Sequence, residues 1–208
     1  MITETKQSQT ATTPKMALDF LRLGNQRFTS ALKVDRNLLK QVEDTREGQY
    51  PFAVVVSCID SRVPVETVLD QGIGDIFSIR IAGNFINTDI LGSIEFACKL
   101  AGAKLIVVMG HSSCGAVKGA CDQVKLGNLS ELLHKIKPAV DAVVIDGVRS
   151  SENKEFVQKV AAKNVELALK KIRSKSPVLE ALLERKEIGL VGAMYLVETG
   201  EVQFGQIH

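Results

Sequence analysis

The chain has no apolar run approaching the roughly 18–20 residues a membrane span needs, and its apolar segments are short, each ending in Gly or a charge. Residues 1–10 are polar and carry no apolar stretch of the kind a secretory leader uses. Basic and acidic residues nearly balance, 26 against 24, and are interspersed. With aromatics at only 5%, there is neither a basic stripe nor a stacking surface for nucleic acid. No Gly-x-Gly-x-x-Gly fingerprint occurs, which argues against a dinucleotide site, and no internal repeat is visible. The expectation is a cytoplasmic protein with no membrane and no nucleic-acid partner. In a reducing compartment its four cysteines read as metal ligands or buried thiols, not as a disulfide frame.

What is present is ordinary globular material. Apolar content of 45% and charged content of 24% over 208 residues suit one well-buried domain. Residues 1–13, rich in Thr, Gln and Ser, are expected to be disordered, with a single domain over 14–208. Thr13-Pro14 starts a helix, whose stripe of Ala17, Phe20, Leu21 and Phe28 faces either a neighbouring subunit or its own domain. Strands are predicted at 52–57, 75–80 and 104–109, the last almost wholly aliphatic and therefore central. Helices are predicted at 63–70, at 88–101 capped by Thr88 or Asp89, at 116–124, at 153–173 and at 177–186. Asn128 with Glu131 resembles a capping box, and Pro138 predicts a kink in the helix behind it. A hairpin, 188–197 and 201–205, turns at Thr199-Gly200. Strands alternating with helices make this an α/β chain: a mainly parallel sheet flanked by helices, with an N-terminal helical arm and a C-terminal antiparallel hairpin.

Two strand ends carry the chemistry. Val54-Val55-Val56-Ser57 runs into Cys58-Ile59-Asp60-Ser61-Arg62, and Leu105-Ile106-Val107-Val108-Met109 runs into Gly110-His111-Ser112-Ser113-Cys114-Gly115. Residues two apart on an extended segment share a side, so Cys58, Asp60 and Arg62 point one way. Cys58, His111 and Cys114 together offer two thiolates and an imidazole, the donor set of a zinc site that keeps a fourth position for chemistry. Ligands collect outside the carboxyl ends of strands in open α/β sheets, and both stretches lie there. Asp60 is able either to close the site as a fourth ligand or to pair with Arg62 in a charge-assisted fork. Cys98 and Cys121 read as buried small hydrophobes, His134 as a surface or packing residue, and His208 as a mobile terminus.

At these residues the sequence resembles the β-class carbonic anhydrases. The motifs are Cys58-Ile59-Asp60-Ser61-Arg62, then Gly74-Asp75-Ile76-Phe77 with Arg80-Ile81-Ala82-Gly83-Asn84, then Gly110 to Gly115; the match is dense over 49–119 and looser beyond. The resemblance implies zinc-dependent, reversible hydration of CO₂ to bicarbonate and a proton through zinc-bound hydroxide. It implies one Zn²⁺ per chain, held by Cys58, His111 and Cys114, with Asp60 a fourth ligand in a closed state or, held by Arg62, the acceptor beside hydroxide. Gln49 as a donor and Phe77 as an apolar wall would reach a site across a subunit interface, with Ala82 and Gly115 lining the same cavity. The implied assembly is a homodimer, often paired into a homotetramer, with the N-terminal arm embracing the partner. Phe96 stands where many plant-like members carry Tyr. Val55 stands where a bicarbonate-inhibited subgroup carries Trp, although Arg80 and Tyr195 match that subgroup's other two anchors. Two alternatives share the donor set: a zinc hydrolase of a CO₂-like sulfur compound such as carbon disulfide, and a non-catalytic structural zinc protein closed by Asp60. Arg62 counts against the second, because a purely structural carboxylate ligand needs no such partner.

Overall fold

The computed structural model describes residues 3–208. Five strands form one sheet in the order β2-β1-β3-β4-β5, comprising β1 (Ala53–Ser57), β2 (Ile76–Arg80), β3 (Leu105–His111), β4 (Gly189–Tyr195) and β5 (Val202–Ile207). The first four are parallel, and β5 closes the chain antiparallel to β4. The mainly parallel α/β architecture with its C-terminal hairpin is as expected, and the aliphatic β3 is the central strand.

β1 and β3 are buried at every position, which requires cover on both faces. The pleat sends Val54, Val56, Ile106 and Val108 into one layer with α5 (Thr88–Glu95), α9 (Lys154–Lys175) and α10 (Pro177–Glu184). It sends Val55, Val107 and Met109 into the other, with α2 (Pro14–Thr29) and α4 (Val65–Val68). Each such fully buried aliphatic side chain contributes about 1.5–3 kcal/mol. A third cluster, built from α6 (Gly115–Cys121), α7 (Gly127–His134), α8 (Lys137–Ala142) and the start of α9, packs under the carboxyl ends of β1 and β3 and includes Cys58 and Cys114. No helix among the described residues is long and apolar enough to cross a membrane.

Several local expectations are corrected. Within 1–13, Lys6–Ala11 is a helix, α1, with Thr5 and Ser8 forming a reciprocal capping box. Its anchor is polar: buried Gln9 donates from Nε2 to the carbonyls of Pro51 (2.7 Å) and Ala101 (2.8 Å). Hydrophobic patterning cannot register such an anchor. Met1 and Ile2 lie outside the described residues. The α2 stripe faces its own domain, with Ala17 and Leu21 fully buried and Phe20 edge-on to Phe52. Helix α3 (Leu38–Thr45), capped by Asn37, falls in a stretch that gave no expectation. Asn87, not Thr88 or Asp89, caps α5. The helix predicted to 101 leaves α geometry at Glu95 and ends in one π turn, Phe96–Leu100. The Asn128–Glu131 box does not form; the N-cap of α7 is Leu126, two residues earlier, and Ser130 Oγ accepts from Leu126 N–H. Pro138 sits in the first turn of a separate helix, α8, so the chain breaks there instead of kinking.

Candidate metal centre and catalytic site

The register of β1 on β3 pairs Val56 with Val108. Continued two residues, it sets Cys58 beside Gly110, one residue before His111. Ser113 then adopts a left-handed φ of 56° and turns the chain, so that Cys114, the N-cap of α6, comes back toward Cys58. The donor atoms of Cys58, His111 and Cys114 all lie within 4.8 Å of one another, and all three residues are buried. The two sulfurs are 4.0 Å apart; two sulfurs on one tetrahedral zinc, at about 2.3 Å each, would be about 3.8 Å apart.

The imidazole is prepared to coordinate. His111 Nδ1 lies 2.9 Å from the Ser112 carbonyl, the contact that puts the proton on Nδ1 and leaves a lone pair on Nε2. Nε2 is buried without a hydrogen-bond partner, a cost that a metal ion would remove. The thiols are coupled. The hydrogen bond with Cys114 holds the Cys58 thiol down at about 4, and that bond together with burial pushes Cys114 up. Two buried sulfurs this close are a donor pair from which a divalent cation would displace protons. The residues fit zinc.

Asp60 is held beside the cluster, not in it. Its Oδ1 accepts from the main-chain N–H and Nε of Arg62, both at 2.9 Å, and its Oδ2 accepts from Nη2 at 2.8 Å. Oδ2 lies 3.9 Å from His111 Nε2. The Arg62 guanidinium holds the carboxyl down at about 2. Of the two arrangements open to Asp60, this structure has the one clasped by Arg62. Ala82 precedes Gly83, whose N–H donates to Cys58 Sγ at 3.3 Å, and Gly115 is the exposed first residue of α6. Gln49 and Phe77 are elsewhere. Gln49 precedes β1, and Phe77 pairs with Val54 and packs on Phe96. Val54 is four residues before Cys58, roughly 13 Å along the strand at about 3.3 Å per residue.

Three supporting contacts were not anticipated. Arg80 bridges the Cys58 carbonyl (Nε, 3.0 Å) and the Asp60 carbonyl (Nη2, 2.6 Å), fixing the loop between them. Ser112 Oγ donates to Glu198 (2.6 Å) and accepts from Val197 N–H (2.9 Å), tying the histidine loop to the hairpin turn. Asn164 Nδ2, from α9, donates to the Gly83 carbonyl at 2.8 Å. Arg80 and Ser112 lie in the sequence motifs without these contacts being implied, and Asn164 shows only as an amide on the apolar face of a long helix.

Comparison with known proteins agrees with this geometry. The family model described as carbonic anhydrase matches residues 53–202. Carbonic anhydrase 2 of Mycobacterium tuberculosis is 33% identical over 198 residues, covering 91% of this chain and 91% of that protein. A carbonic anhydrase of Mycolicibacterium smegmatis is 33% identical over 193 residues, with 91% and 92% covered. Among solved structures, the β-carbonic anhydrase CcaA aligns with a TM-score of 0.70 at 28% identity, covering 91% of this chain and 95% of that one. One described as tetrameric, from Sordaria macrospora, aligns at 0.67 and 28% identity, with 78% and 85% covered. A family match over most of the chain, laid on a Cys-His-Cys cluster at adjacent parallel strand ends, makes this protein a carbonic anhydrase enzyme, and it belongs to the β class of that family.

Proposed function

We propose that the chain hydrates CO₂ reversibly at one zinc ion held by Cys58, His111 and Cys114. The observation that carries the reading is the orphaned, fully buried His111 Nε2 facing two sulfurs. Zinc, when bound, supplies a Lewis acid that makes water a nucleophile near neutral pH. Asp60 is the group that would orient such a water. Its Oδ1 is occupied twice by Arg62, whereas Oδ2 has one Arg62 contact and a free lone pair on the side toward His111. Oδ2 is therefore the oxygen that would accept a hydrogen bond from a water at this site and direct its lone pair toward the carbon of CO₂. With its carboxyl at about 2, Asp60 is too weak a base to take the proton at neutral pH, so the released proton passes to solvent or buffer. An Asp60 clasped by Arg62 also favours the catalytic reading over a permanently closed structural site.

The site is completed in a homo-oligomer. Gln49 and Phe77 stand at the end of the sheet away from their own Cys58, so their substrate contacts would be made in a partner's site. Exposed Leu38, Leu39 and Val42 on α3, with Phe96 and Leu100 on the π turn, supply apolar surface for such contacts. All four cysteines are free, and a thiolate site is best preserved in a reducing cytoplasm, the location we assign. Stopped-flow CO₂ hydration on protein of known zinc content, from about pH 6.5 to 9 around the acidity constant near 7 expected for such a site, tests the reading. Fast hydration rising with pH supports it; one zinc per chain with no hydration at any pH overturns it.

A further inference from the structure

Asn164 is in an unfavourable place for an amide. It lies in the middle of the 22-residue α9, where Asn is a poor helix former, and it is 5% exposed among buried Val160, Ala161, Val165 and Ala168. Burying an amide is costly unless it is hydrogen-bonded. Its Nδ2 reaches out of the helix to the Gly83 carbonyl at 2.8 Å, and Gly83 is the residue whose N–H donates to Cys58 Sγ at 3.3 Å. Gly83 and Asn84 have left-handed φ angles of 76° and 41°, so the loop holds a conformation that few residues adopt unaided. A Cβ at position 83 would strike the Ile136 side chain and press on Ala116, so packing clasps the glycine on one side while Asn164 ties its carbonyl.

We propose that Asn164 is a positioning residue for the metal centre. It anchors Gly83 to the rigid α9, keeps the Gly83 N–H aimed at Cys58 Sγ, and so draws electron density from the sulfur that donates to the cation. Contacts to the groups around a metal's own ligands set ligand orientation and donor strength in this way. The inference rests on Cys58 being a metal ligand, as proposed above.

The test loads the wild-type chain, Asn164→Ala and Asn164→Leu with cobalt(II) and records the near-ultraviolet thiolate-to-cobalt charge-transfer band. Neither variant can donate to the Gly83 carbonyl. A sulfur relieved of its N–H donor holds its lone pairs at higher energy, so the band is expected to move to longer wavelength in both variants, with one cobalt still bound per chain. An unmoved band in either folded variant overturns the role of Asn164, because a purely structural residue would alter melting and leave the band alone. Should neither variant fold, wild-type protein loaded with a spin-active cadmium isotope decides. Scalar couplings from the Gly83 amide proton to cadmium, and across the Asn164–Gly83 hydrogen bond, are required, and loss of either overturns the inference. A wild-type chain with no thiolate band at all would instead overturn the metal-site assignment itself, a separate outcome.

Discussion

Replacing Arg62 with Ala isolates the orienting role of Asp60. The substitution deletes the Nε and Nη2 bonds to the carboxylate and leaves the main-chain N–H on Oδ1. The Arg62 side chain is 51% exposed, so its pair with Asp60 contributes only about 0–1 kcal/mol to stability. For a chain of this size that corresponds to a melting shift of less than about 4 °C. The catalytic effect is larger, because a reacting group displaced by about 1 Å costs about 100-fold in rate. That is about 2.7 kcal/mol of barrier at 1.36 per decade. Without Arg62 the Asp60 carboxyl rises from about 2 toward the ordinary carboxylate range, about 3.9. It therefore stays ionised at neutral pH in both proteins, and the loss should be uniform across about pH 6.5–9, a window around the acidity constant near 7, with the defect in kcat and zinc content unchanged. Stopped-flow hydration normalised to bound zinc is the assay. A variant within about threefold of wild type, well short of the 100-fold expected for misplacement, would show that Asp60 needs no clasp and that the orientation argument is wrong.

Cys58→Ser removes one of three buried donors and should cut zinc retention after dialysis against a chelator, read by metal analysis; undiminished retention would remove Cys58 from the ligand set. Gln9→Ala leaves the Pro51 and Ala101 carbonyls without their side-chain donor and should cost about 1–3 kcal/mol in denaturant unfolding, while activity per folded chain is retained; an unchanged midpoint would mean α1 is not anchored as described. Asp70 carries a carboxyl that burial pushes up but that hydrogen bonds from Arg27 and Arg36 pull down, leaving it below its ordinary value. Its contribution is therefore present above the unfolded-state value, about 3.9, and lost as pH falls through the lower folded-state one. Asp70→Asn should destabilise by about 3–5 kcal/mol at neutral pH, the scale for breaking a buried pair, and should flatten the acid limb of the stability–pH curve. An acid limb as steep as wild type would refute that assignment.

The legible parts of this molecule are those with short-range or periodic causes. Apolar runs ending at Cys58 and at His111 declare two buried parallel strands, and the rule that ligands gather at carboxyl strand ends puts both motifs in one place. The i+2 spacing of Asp60 and Arg62 likewise put a carboxylate and a guanidinium within reach of each other, and Thr13-Pro14 announced a helix start. These features depend on backbone geometry that every chain shares, so residue order alone determines them.

Everything that depended on which distant groups meet was decided by tertiary structure. Between clasp and ligation for Asp60, residue types do not choose; three hydrogen bonds from Arg62 do. Helix α1 exists because Gln9 finds two carbonyls, 42 and 92 residues away, and nothing periodic marks such a bond. Ser112 with Glu198, and Asn164 with Gly83, are separated by 86 and 81 residues, each a polar contact of one donor with one acceptor. Hydrophobic burial is written into a sequence many times over, because many residues share it. A single directional hydrogen bond is written nowhere until the fold brings its two ends within 3 Å.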